Sequence, residues 1–174
     1  MCITQTSNER KIMKKLITIV ALVLSAAVYA TEATSVDVAV KFIAEHESFR
    51  SHVYVLKGIK HIGYGFTNPK LVKRGYMSKQ EADAELRRIV SNDLVYLRRQ
   101  VKGLTVHQEA ACLSFIFNVG RANFASSTML KYLKQGNIAA ASKEFDKWVH
   151  VKGVVVNGLV KRRSQEKRLM LEAV

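Results

Sequence analysis

"EHESFRSHVYVLKGIKHIGYGF", residues 45–66, sets two glutamates ahead of an alternating, glycine-punctuated run and contains no aspartate. The run alternates and then turns, and Lys57-Gly58 falls where a two-residue hairpin loop belongs, although lysine is poor chemistry for the first loop position. In that register Tyr54 faces His61. Just upstream, Val36, Val40, Ile43 and Glu47 recur at i, i+4, i+7 and i+11. On a helix wheel Glu47 then lies about 20° from Val36, and Glu45 about 180° away. The spacing predicts that Glu47 continues a buried stripe while Glu45 is solvated. A carboxyl group at the edge of a core, near a helix C-terminus with its partial negative charge, has its ionised form disfavoured, which is how a general acid is kept protonated. The competing reading is structural: a glutamate held by an arginine in a buried pair. His61 is open in the same way, since a single strand histidine serves packing as readily as chemistry.

Outward from this stretch the pattern becomes helical. Ser78 with Glu81 and Thr105 with Gln108 have capping-box spacing, predicting helices over about 78–101 and 105–117. A short helix is expected from near Ser127 to a stop at Gly136, followed by one capped by Asn137 that carries Phe145 and Trp148 on its apolar side. A basic helix over about 158–172 ends the chain. The expected order is one helix, a small strand region, then helices only: class α+β, helices dominant.

The 174 residues suit one domain, and 48% hydrophobic content is enough for a core without metal or disulfide staples. The net charge of +14 points to a polyanionic partner: nucleic acid, anionic membrane or anionic wall polymer. From Met13 the chain reads "MKKLITIVALVLSAAVYA", a basic start, an apolar run and a small-residue pattern at Val28-Tyr29-Ala30. The run is short for a membrane span of about 20 residues. A leader over 1–30, comprising an upstream extension and an export signal cleaved after Ala30, is therefore expected, with an uncleaved anchor as the alternative. Removing 1–30 takes away Glu9, Arg10, Lys11, Lys14 and Lys15 and leaves 24 basic against 13 acidic residues, a charge of +11. Export argues against nucleic acid as the partner. Of the two cysteines, Cys2 belongs to the leader and Cys112 to an apolar helical stretch, so the reading is an inert buried thiol, with no disulfide framework, no metal site and no cofactor.

"ESFRSHVY…KGIKHIGYGFT" resembles the "EGxRxxxY…GxxTIGYGHT" signature of the phage-type lysozymes, glycoside hydrolase family 24. The stretch from "LSFIFNVGRANF" to "GLVKRRSQEKRLM" is similar to that family nearly end to end, so the resemblance covers about residues 36–171. It implies a small N-terminal lobe with a helix and a β-hairpin region, a long connecting helix, and a helical C-terminal lobe, with glycan bound between the lobes. It also implies a muramidase that cleaves the β-1,4 bond between N-acetylmuramic acid and N-acetylglucosamine in peptidoglycan; a monomer is expected. By the same resemblance Glu47 matches the catalytic acid, Arg162 the arginine beside it, and Asn118 a polar cleft residue, with Tyr54 and Thr67 in supporting positions.

The departures fall at the chemistry. The family has an aspartate about nine residues after the glutamate and a threonine about six further on; here those positions hold Leu56 and, after a one-residue deletion, His61. No acidic residue occurs between Glu47 and Glu81, and the histidine of "GYGHT" is Phe66. An imidazole at the threonine position can serve as base or nucleophile. Two readings follow: a muramidase with a Glu47/His61 pair, or a lysozyme fold that lost catalysis and binds wall glycan as a module, adaptor or inhibitor. Contact of the cationic helix "GLVKRRSQEKRLMLEAV" with an anionic membrane is a further, additive expectation.

Overall fold

The computed structural model describes residues 33–172; the expected leader lies outside them. Helix α1 (Ser35–His46) begins at a capping box not anticipated from sequence, in which the Thr34 hydroxyl accepts from the Asp37 amide and the Asp37 carboxylate accepts from the Thr34 amide. Its buried stripe is Ser35, Ala39 and Ile43, one residue off the expected Val36–Val40 register, and the two valines are only partly buried. Small residues on the contact face explain the shift, because they let a neighbouring helix come close enough for Ser35 Oγ to donate to Glu109 at 2.5 Å. Accordingly α1 packs on the later helices rather than on the hairpin that follows it. Glu47 is its C-cap (φ −103°, ψ 53°), just past the last turn.

Strands β1 (Arg50–Leu56) and β2 (Ile59–Gly63) form the expected antiparallel hairpin, with Tyr54 opposite His61 and Leu56 opposite Ile59. Lys57 (φ 52°) and Gly58 (φ 79°) both occupy the left-handed region that a two-residue turn of the primed type demands. A short helix α2 (Pro69–Lys73) follows, unforeseen although Asn68 accepts from the Lys70 amide and Pro69 opens it, both ordinary start signals.

The long helix α3 (Lys79–Gln100) and helix α4 (Val106–Val119) start at the two expected capping boxes. Helices α5 (Arg121–Ser126) and α6 (Thr128–Lys134) pack on the C-terminal core; the first was not expected, and the second begins beside Ser127 as expected, with that serine as its cap. Asn137 caps α7 (Ile138–Glu144), but this helix stops before the aromatic residues assigned to it. Phe145 opens a 3-10 turn (Phe145–Lys147) and Trp148 lies beyond it. The tightening brings both rings edge-on to Phe115, with centroids 5.5 and 5.2 Å away. The C-terminal half is not helical throughout either: β3 (His150–Val151) and β4 (Val154–Val155) form a second hairpin whose loop, Lys152-Gly153, repeats the positive φ values of the first. Helix α8 (Asn157–Leu171) closes the fold. Helix α4 is the core's axis, with every residue from Glu109 to Ile116 buried. Cys112 is buried there as a free thiol, and burial pushes its ionisation far up, as an inert cysteine requires.

Two exposed caps carry acid sensitivity. The Arg74 guanidinium and the Ser78 amide and hydroxyl hold Glu81 down at about 2; the Thr34 hydroxyl, then Arg87, hold Asp37 down to about 2. A depressed carboxyl contributes stability that is present above its unfolded value and lost as pH falls toward its folded value. Melting temperature should therefore fall between about pH 4.5 and 2, and the double variant Asp37→Asn, Glu81→Gln should show a flatter profile over that window. Parallel profiles for the two proteins would exclude these caps as the source.

Candidate active site

A cleft of about 590 Å³ opens where the hairpin meets the helices. Glu47, Tyr54, Leu56, His61 and Thr67 line it from the α1–β2 region, while Glu85, Asp93 and Asn118 line it from α3 and α4. Among the described residues no cluster of histidine, cysteine and acidic side chains is placed to hold a metal.

Glu47 is half-buried, its side chain 25% exposed, and its Oε1 accepts from Arg162 Nη1 at 2.5 Å. Glu45 is exposed. The arginine pair weighed against an acid role is thus present, and the carboxyl that makes it also opens to the cleft; its Oε2 lies near Gly65.

Behind Glu47 stands a buried polar network supplied by one turn of α8. Arg162 Nε donates to Glu166 Oε1 at 3.1 Å and its Nη2 reaches the Ser114 carbonyl at 3.3 Å; Ser114 Oγ donates to the same Glu166 oxygen at 2.6 Å. Arg163 packs its guanidinium 4.9 Å from the Phe115 ring centroid and donates to Asn118 Oδ1 at 2.8 Å. Burial first, then the neighbouring Arg162, pulls Arg163 down to about 10, with Glu166 and Glu47 opposing. Burial likewise raises Glu166, opposed by the two arginines and Ser114. Losing one member strands the others, so Arg162→Met should cost about 3–5 kcal/mol. Urea unfolding should show Arg162→Lys, which keeps a positive charge beside Glu47 and Glu166, to recover part of the loss; equal stability of Arg162→Lys and Arg162→Met would mean that no stranded charge underlies it.

His61 is half-buried, and its ring stacks on Tyr54 with centroids 5.3 Å apart and planes at 21°. Arg50 in turn lies 4.5 Å from the Tyr54 ring centroid. Leu56, at the aspartate position, is 54% exposed at the cleft. Thr67 and Asn118 are exposed at the rim, and because Arg163 can only donate, Asn118 turns its oxygen inward and leaves its NH2 for a ligand. Phe66 is buried, its backbone paired with Ile62 and its ring packed where a Cβ on Gly63 would come within 2.8 Å. The structure therefore brings all six sequence-assigned residues, Glu47, Tyr54, His61, Thr67, Asn118 and Arg162, to one cleft and its backing network.

Sequence reasoning missed the far wall. Asp93 lies on the buried stripe of α3 with Ala82, Leu86, Val90 and Leu97, accepts from Arg121 Nε at 2.6 Å, and has its carboxyl raised by burial against that arginine's pull. A polar residue on an apolar stripe was the signal that singled out Glu47; applied to α3 it finds Asp93. Glu85 is engaged by Arg88 at 2.6 Å.

Helix α8 turns Arg162 and Arg163 inward and lends Leu169 and Met170 to the core, while Val160 and Leu171 stay exposed, so its apolar residues are divided between packing and solvent.

A family model described as phage lysozyme matches residues 44–166. The chain belongs to the phage lysozyme family. Among curated phage lysozyme relatives, an endolysin of Acyrthosiphon pisum secondary endosymbiont phage 1 is 36% identical over 137 residues, 75% of this chain and 93% of that protein. An endolysin of Bacillus phage B103 is 40% identical over 111 residues, 63% of this chain but only 42% of its own length, so this chain spans less than half of that relative. A SAR-endolysin of Escherichia phage Mu is 34% identical over 116 residues, 64% of this chain and 65% of that protein. Among solved structures, the muramidase domain of SpmX from Asticaccaulis excentricus superposes with a TM-score of 0.71 at 30% identity, over 78% of this chain and 95% of that one. The lysozyme fold, mainly helical with a small hairpin sheet in the N-terminal lobe, is thereby shown.

Proposed function

We propose that the chain is a peptidoglycan muramidase that cleaves the β-1,4 bond between N-acetylmuramic acid and N-acetylglucosamine. The observation that carries this reading is the convergence of Glu47 and His61 on one cleft, with Glu47 tethered by Arg162. Protonated Glu47 gives its proton to the departing glycosidic oxygen as the C–O bond breaks. His61 Nε2 attacks the anomeric carbon and forms a C–N bond; water then displaces the imidazole, losing its proton to the Glu47 carboxylate, and the enzyme returns to its starting state. Asn118, Tyr54 and Thr67 are assigned to sugar contact. The net charge of +11 left after the expected leader, 24 basic against 13 acidic residues, supports an anionic wall polymer as substrate.

A second reading, a glycan-binding lysozyme fold without turnover, is favoured by one observation: the aspartate position holds an exposed leucine. Incubating the purified protein with peptidoglycan and weighing the released material separates the two. Muropeptides with new reducing N-acetylmuramic acid ends support the muramidase; binding to sacculi without release supports the module. Export, inferred from the "MKK…VYA" segment and in keeping with the endolysin and SAR-endolysin relatives, puts the enzyme on the side of the membrane where its substrate is.

A further inference from the structure

His61 has one hydrogen bond among the described residues, between its Nδ1 and the carbonyl oxygen of Gly65 at 3.1 Å. A carbonyl oxygen only accepts, so the hydrogen sits on Nδ1 and the neutral ring carries its lone pair on Nε2. Nε2 has no partner, yet it is absent from the buried polar atoms that lack one, so solvent in the cleft reaches it. The direction of the carbonyl is set by backbone. Ile62 and Phe66 exchange both backbone hydrogen bonds, at 3.0 and 2.8 Å, which closes the loop that contains Gly65. Gly65 itself sits at φ +84°, where a side chain is strained. Space is not the constraint, since a Cβ there would meet only Glu47 Oε2 and Tyr54 Oη, both at 3.9 Å. The ring plane is held separately, by the stack of His61 on Tyr54 and of Tyr54 under Arg50.

We propose that Gly65 and Tyr54 are positioning residues that lock His61 as its Nδ1–H tautomer, with the Nε2 lone pair directed into the cleft. This rests on the Glu47/His61 reading for its purpose, but not for its test. Two consequences concern the chemistry. The nitrogen available to a sugar is the one farther from the backbone, and the ring does not need to flip or exchange tautomers before it acts. Gly65 thereby replaces with a backbone carbonyl the orienting carboxylate that a catalytic histidine usually requires.

Uniform 15N labelling of the full chain and a long-range proton–nitrogen correlation at a pH well above neutrality reads the tautomer directly, with the His61→Gln spectrum identifying the signals. The expected result is a protonated-type Nδ1 and an unprotonated-type Nε2 for His61. The reverse pattern, or two averaged shifts from exchanging tautomers, overturns the proposal. Gly65→Ala should move the His61 nitrogens toward averaged values while those of His107 stay in place, and should lower kcat more than it raises KM. Unchanged His61 shifts in a folded Gly65→Ala protein also overturn it. If that variant fails to fold, Tyr54→Leu, which removes the stacking partner, takes its place with the same two outcomes. A locked tautomer in a protein that releases no muropeptide counts against the muramidase and leaves the tautomer assignment standing, so the two claims fail separately.

Discussion

Glu47→Gln should lower glycan cleavage about 10²- to 10⁴-fold, the usual cost of losing a general acid, while Glu45→Gln leaves the rate near that of the parent protein. The two residues are separated by a single position, yet the helix end treats them differently. Glu45 is exposed on the last turn of α1, whereas Glu47 caps it and reaches both the cleft and Arg162. Glutamine keeps the shape and can still accept from Arg162, so folding should be little changed. Clearing of purified sacculi, followed by turbidity, with circular dichroism as the folding control, provides the comparison. Equal loss from both substitutions would remove Glu47 from the acid role.

His61→Ala should remove turnover to a similar extent, because the mechanism assigns the attack on the anomeric carbon to this imidazole. The nearest acidic alternatives, Glu85 and Asp93, come from α3 and are engaged by Arg88 and Arg121. The double change Leu56→Asp with His61→Thr should return the cleft toward the family pattern and its water attack from the far face of the sugar. Product stereochemistry would then change from retention to inversion. Full activity in His61→Ala would assign the chemistry to another residue.

Much of this was legible before any coordinates. Capping boxes at Ser78 and Thr105 placed the two main helices to within a residue or two of where they lie, because a side chain three positions from its cap leaves a short-range signature. The Lys57-Gly58 loop set the Tyr54–His61 register, since two loop residues admit only one pairing. The same dipeptide at Lys152-Gly153 went unread; with only two residues on each side, the β3–β4 hairpin has too little alternation to register as strand. The register of α1 was off by one residue because apolar spacing alone does not say whether valines or small residues face the neighbour. That choice was made by α4, through Ser35 and Glu109. Arg163, Ser114 and Glu166 were missed as a network for a related reason. The i,i+3 and i,i+4 spacing of "RRSQE" advertises surface pairs as readily as buried ones, and only the packing of α8 on α4 decides that these are inside.

The most direct test of the Glu47/His61 mechanism is anomer-resolved proton NMR of a soluble peptidoglycan oligosaccharide during digestion. The mechanism predicts a first product whose new reducing end is β, and added acceptor sugars that intercept the glycosyl-imidazole intermediate as transglycosylation products. A first product that is α, or no new reducing end at any enzyme concentration, would contradict it.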